Sequence, residues 1–165
     1  MILFYDFEVF KYDWLVVLIE PEIRKETVIV NNEKKLRAFY EEHKSYIWVG
    51  FNSKHYDQYI LKGILLGMNP KTINDKIIID GMDGWQISRA FNEIPLNNYD
   101  VMTNIDRGLK YFEGSLGNSI RESSIPFNID RKLTDEEIEE TIRYCRHDVE
   151  QTINVFMERY SDFEA

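Results

Sequence analysis

Hydrophobic and polar positions along this chain alternate between two periods, and the switches between them mark the elements. Ile2 to Val9 (ILFYDFEV) is apolar on both faces of a period-two pattern, which predicts a central strand covered above and below. Asp13 to Glu20 and Thr27 to Val30 continue as strands, and the turn chemistry of Pro21 to Lys25 joins them as an antiparallel hairpin. Asn32 to His43 has helical spacing with Leu36, Phe39 and Tyr40 inward, and Tyr46 to Phe51 (YIWVGF) reads as a further buried strand. Ser53 is positioned to cap a helix running to about Leu66, closed by Gly67.

From Lys71 onward the pattern is weaker. Lys76 to Ile79 reads as a strand, and DGMDG as a turn into a short helix around Trp85 to Phe91. Asn98 to Met102 reads as a short strand, Ile105 to Leu116 as a helix, and Ser115 to Lys132 as loop. The last helix is sharply defined. Thr134 with Glu137 forms a capping box and Leu133 with Ile138 a hydrophobic staple, so it begins near Asp135. Ile138, Ile142, Cys145, Val149, Ile153 and Phe156 then make one apolar stripe. Strands and helices in this order predict an α/β domain, a mixed sheet with helices packed on it.

Length and composition fit that picture and narrow the chemistry. A chain of 165 residues, 44% hydrophobic, suits one domain with a substantial core. The net charge of −9 argues against non-specific duplex binding, which needs a basic surface, but not against an enzyme that meets phosphate through divalent cations. The single cysteine, Cys145, excludes an intrachain disulfide and a cysteine-rich zinc site. No apolar run reaches the roughly 18 residues of a membrane span, so no membrane partner is expected.

Three places carry candidate chemistry. Period two puts Asp6 and Glu8 on one face of the first strand, and two carboxylates side by side in a desolvated place need a cation or a proton. The alternative is that the strand has ended by Asp6 and both acids are exposed. Asp57 falls in phase with Ile60, Leu61 and Ile64, so its carboxylate points along a buried face; otherwise it is an ordinary acid favoured by the helix dipole. Tyr144 and Asp148 are four apart on the last helix and share its side, at the margin of the apolar stripe, unless they are merely a boundary tyrosine and a solvated charge. Asn52, at a strand end, is an amide suited to a sugar or a base. Asp100 is the main rival acid.

Taken together, Asp6-x-Glu8, Asn52-x-x-x-Tyr56-Asp57 and Tyr144-x-x-x-Asp148 resemble the three exonuclease motifs of the DEDD superfamily in its tyrosine-bearing branch. The surrounding FYDFEVF, VGFNSKHYDQYIL and RKLTDEEIEETIRYCRHDVEQT are similar to the N-terminal exonuclease region of phage DNA polymerases of the family A type. The motifs run from Asp6 to Asp148 in the family's order. Arg143 stands where the histidine-bearing branch would have its histidine.

The resemblance implies a ribonuclease H-like fold and a single 3′–5′ exonuclease domain over residues 1–165, cut from a longer polymerase that works in a bacterial host's cytoplasm. It implies two divalent cations, Mg²⁺ or Mn²⁺, about 3.5 to 4 Å apart. Asp6, Glu8 and Asp148 would hold the catalytic ion, Asp6 would bridge to the second, and Asp57 would bind that one. Tyr144, with Glu8, would orient the attacking water. The substrate would be a frayed or single-stranded DNA 3′ end, its terminal base stacked on Phe10, Tyr12 or Phe51. Lys54, Arg143, Arg146 and His147 are candidates for phosphate. The alternatives are an exoribonuclease of the same superfamily and a noncatalytic nucleic-acid or partner-binding module on the same fold.

Overall fold

The structure, a computed structural model, describes residues 1–102 and 125–164. Five strands form one mixed sheet: β1 (Ile2–Val9), β2 (Trp14–Glu20), β3 (Lys25–Val30), β4 (Ile47–Gly50) and β5 (Asn97–Asp100), in the order β3-β2-β1-β4-β5. β1, β2 and β3 pair antiparallel through short turns, whereas β4 lies parallel to β1 and β5 parallel to β4. Parallel neighbours need crossover connections. Helix α1 (Glu33–His43) supplies the first, and α2 (Asp57–Leu65), α3 (Pro70–Ile78) and the 3₁₀ turns Gly84–Gln86 and Arg89–Glu93 lie in the second.

β1 is the middle strand, and both its faces are covered. Leu3, Tyr5, Phe7 and Val9 pack with Trp48, Leu36, Ile60 and Leu61 in one cluster. Phe4 packs with Val17, Val49, Cys145 and Val149 in the other. The second face belongs to α4 (Asp135–Glu164), which lies across β1 and β2. Its start is the expected capping box: Glu137 N–H donates to Thr134 Oγ1 at 3.1 Å, and Thr134 N–H to Glu137 Oε1 at 2.9 Å. Leu133 and Ile138 share a satellite cluster with Phe10, as a staple requires.

Several local expectations are corrected. Ser53 does not cap α2. The chain winds through turns from Phe51 to Tyr56, with Asn52 left-handed at φ 58°, and the helix starts at Asp57. Asp100 organises that winding, its carboxylate accepting from the backbone N–H groups of Asn52 (2.9 Å), Lys54 (3.0 Å) and Met102 (2.9 Å). Ser53 is buried, and its Oγ accepts from Asn98 Nδ2 at 3.1 Å. Gly50 allows this close turn, because a Cβ there would come within 2.6 Å of Ser53 Cβ. Lys76 to Ile79 is not a strand but the end of α3, whose start is set by Asn69 accepting from Lys71 N–H at 2.9 Å and by Pro70 in the first turn. Trp85 to Phe91 resolves into the two 3₁₀ turns. The helix expected over Ile105 to Leu116 lies outside the described residues. No described helix is long and apolar enough to cross a membrane.

Candidate active site

Strand parity sends Asp6 and Glu8 to the side that α4 covers. Opposite them α4 presents Cys145, whose thiol donates to Asp6 O at 3.3 Å and lies 3.5 Å from Asp6 Oδ2. One potential ligand atom from each of Asp6, Glu8 and Cys145 fits within 4.8 Å of the others. Asp57 comes from the other side of β1. The pairing of β1 with β4 reaches only Phe4 with Val49, so the backbone of β1 past that point is open on this edge. The first turn of α2 enters the opening, and Asp57 Oδ1 accepts from Phe7 N–H at 3.0 Å. Asp148 is buried on α4, one turn beyond the half-buried Tyr144 and three residues beyond Cys145.

The electrostatics tie these groups together. Burial pushes the Asp6 carboxyl well above the ordinary carboxylate range, and the charges of Asp57, Glu8 and Asp148 push it further. Burial also pushes Asp57 up to about 7, with the Phe7 N–H pulling it back and Asp100 adding to the rise. The Cys145 thiol is pushed up by burial and then by Asp6, Glu8 and Asp148, so it stands as a protonated donor. Acids from β1, α2 and α4 therefore act on one point. Like charges held in a desolvated place favour a proton or a cation.

A cavity of about 360 Å³ opens beside Glu8, lined also by Asn52, Tyr56, Asn74, Ile78 and Phe127. Tyr56 Oη donates to Asn74 Oδ1 at 2.5 Å, and burial followed by Asp57, Glu8 and Asp6 keeps the phenol protonated. Phe127 is 57% exposed and stacks on Phe10, ring centroids 5.7 Å apart and 18° from parallel.

The structure brings Asp6, Glu8, Asp57 and Asp148 into one electrostatic cluster, sets Tyr144 a turn from Asp148 and puts Asn52 in the adjoining cavity. Other candidates lie elsewhere. Phe10 is only 2% exposed, so its ring is part of the core; Phe127, which covers it, offers the outward face instead. Phe51 is half-buried and packs against the α4-side core. Tyr12 is exposed but belongs to a separate cavity with Lys11 and Lys132, its hydroxyl donating to Asp130 Oδ1 at 3.3 Å. Arg146 faces away toward β3, where its guanidinium makes two bonds to Glu26 at 2.5 and 3.1 Å. Lys54 and Arg143 are exposed and His147 is half-buried.

The sequence reading missed Cys145, Tyr56, Asn74 and Phe127 as parts of this region. Cys145 had a usable signal, since it leads the apolar stripe beside Tyr144 and Asp148. Phe127 had none, because it comes from an aperiodic loop. Comparison of the chain with protein-family models, with curated proteins and with solved structures gives no match.

Proposed function

We propose that the chain is a 3′–5′ exonuclease that removes nucleotides from single-stranded or frayed DNA 3′ ends, working as the proofreading domain of a phage DNA polymerase on a ribonuclease H-like fold. The observation that carries this reading is the convergence of Asp6, Glu8, Asp57 and Asp148, from three separate elements, on one point at the mouth of a cavity. The sheet order and the α4 cover are compatible with that fold.

The donor set fits hard divalent cations. Carboxylate oxygens suit Mg²⁺ and Mn²⁺, and the thiol beside them is held protonated, which removes the sulfur ligand that zinc would favour. Asp6, Glu8 and Asp148 would hold one ion and Asp6 with Asp57 the other. Such ions, when bound, neutralise the charge that develops on the reacting phosphate and lower the pKa of the attacking water. The chain's own groups do the rest. Tyr144, with Glu8, orients the water; its phenol suits a positioning role better than that of a base. Asn52 bonds the terminal nucleotide in the cavity, and the exposed face of Phe127 stacks its base. Water attacks phosphorus, the P–O3′ bond breaks, and a nucleoside 5′-monophosphate leaves a strand one residue shorter.

The test is shortening of a 5′-labelled single strand with Mg²⁺ or Mn²⁺, by the wild type and by Asp148→Ala. The expected result is stepwise loss from the 3′ end that the variant slows by at least about a hundredfold. Equal shortening by both proteins would overturn the reading.

A further inference from the structure

A second cavity lies beyond the acids, between α2 and the two 3₁₀ turns, with a volume of about 520 Å³. Tyr59, Lys62, Trp85, Gln86, Arg89 and Phe91 line it, and no carboxylate does, in a chain of net charge −9. Among the described residues neither the Lys62 ammonium nor the Arg89 guanidinium makes a hydrogen bond or an ion pair. Burial depresses the pKa of Lys62, as expected of a cation partly withdrawn from water without an anion to offset it. The wall is aromatic: Tyr59 packs on Phe91 with centroids 5.4 Å apart, and Gly84 seats it, since a Cβ there would meet the Tyr59 ring at 2.0 Å. Trp85 stands 67% exposed at the rim. Asp83, whose charge reaches Tyr59, caps the turn outside the lining.

We propose that this cavity binds one nucleotide unit of a DNA single strand, its phosphate between Lys62 and Arg89 and its base on Trp85, upstream of the 3′ residue held at the acids. Paired cations beside an exposed indole suit a phosphate joined to a planar base, which neither a free anion nor an apolar ligand would match. Lys62 lies five residues past Asp57 on the same helix, about 7.5 Å along its axis, so α2 connects the two sites. The cavity also answers a difficulty in an acidic exonuclease, which must attract a polyanion with few basic groups. The inference rests on the reading of the chain as an enzyme of DNA strands.

The experiment measures anisotropy of a labelled short oligothymidylate in EDTA over a range of salt concentrations. It compares the wild type, the double variant Lys62→Met with Arg89→Gln, and Trp85→Ala. Hydrolysis of the p-nitrophenyl ester of thymidine 5′-monophosphate with Mn²⁺ is followed alongside, because that ester is too small to reach the second cavity. The double variant should bind the strand at least about tenfold more weakly, and the slope of log affinity against log salt should fall in magnitude by about 1.4, about 0.7 per lost phosphate contact. Trp85→Ala should weaken binding about fivefold or more, and ester hydrolysis should match the wild type in both variants. Unchanged affinity and slope would overturn the proposal, as would an equal fall in ester hydrolysis, or displacement of the strand by polyglutamate as effective as by unlabelled DNA. If the wild type cleaves neither ester nor strand, the exonuclease reading fails, and the binding comparison still decides the cavity.

Discussion

Two buried acids on either side of the same strand end have opposite surroundings. Asp13, 5% exposed, accepts from Asn31 Nδ2 at 2.7 Å, Lys132 Nζ at 3.1 Å and the Leu133 N–H at 2.8 Å. Burial alone would raise its pKa, but these donors bring it below the ordinary value. Asp6, at the middle of the sheet, faces mainly other carboxylates, and its pKa rises. The first acid is satisfied by the fold and clasps the loop before α4 to the β1–β2 turn. The second is satisfied only by something the polypeptide does not supply. A buried acid with its own donors is architecture; one among like charges is a place for a cation.

The comparison breaks most visibly on activity. Asp6→Asn should abolish exonuclease activity by at least about a hundredfold while raising the melting temperature of the metal-free protein by a few degrees, because a repulsive charge is removed. Thermal unfolding beside a nuclease assay checks both, and a lower melting temperature would place Asp6 with Asp13. Asp13→Ala should do the reverse. Losing the acceptor of Leu133 N–H and Lys132 should cost about 1–3 kcal/mol of stability, measured by urea unfolding, with activity per folded molecule retained.

The pH dependence separates the two kinds of acid further. Asp57 has a folded pKa of about 7, above its unfolded value near 4. It therefore contributes stability that is present below the unfolded value and lost as pH rises through about 7, so the metal-free protein should melt at higher temperature at pH 5 than at pH 8. Mn²⁺ should narrow or reverse that difference. Glu137, held down to about 2 by Arg131 and the Thr134 N–H, acts oppositely, its contribution being lost as pH falls from its ordinary range to about 2. The smallest effect belongs to the surface: Arg146→Ala should change stability by less than about 1 kcal/mol and leave cleavage intact, because its partner is Glu26 on β3.

What could be read from the sequence was local. The β1 parity that sets Asp6 and Glu8 together, the Pro21 to Lys25 turn, the inner face of α1 and the Thr134–Glu137 box all follow from neighbours within a turn or a pleat, and the structure has them. The Ile77-Ile78-Ile79 run misled toward a strand because branched residues outweighed the Asn69-Pro70 helix start before it. Ser53 misled because a long-range acceptor, Asp100, gathers the backbone donors of the turn that a local cap would have used. The Arg146–Glu26 pair and the Phe127 stack on Phe10 join residues more than a hundred positions apart, where no periodicity carries the information.

The central claim, that the four carboxylates form one divalent-cation site, is tested most directly by calorimetric titration with Mn²⁺ at pH 7 in buffers of different ionisation enthalpy. The account predicts saturable binding accompanied by proton release, since Asp6 and Asp57 must give up protons to take the ion, and loss of both in Asp6→Asn. Binding without proton release, or binding undiminished in Asp6→Asn, would contradict it.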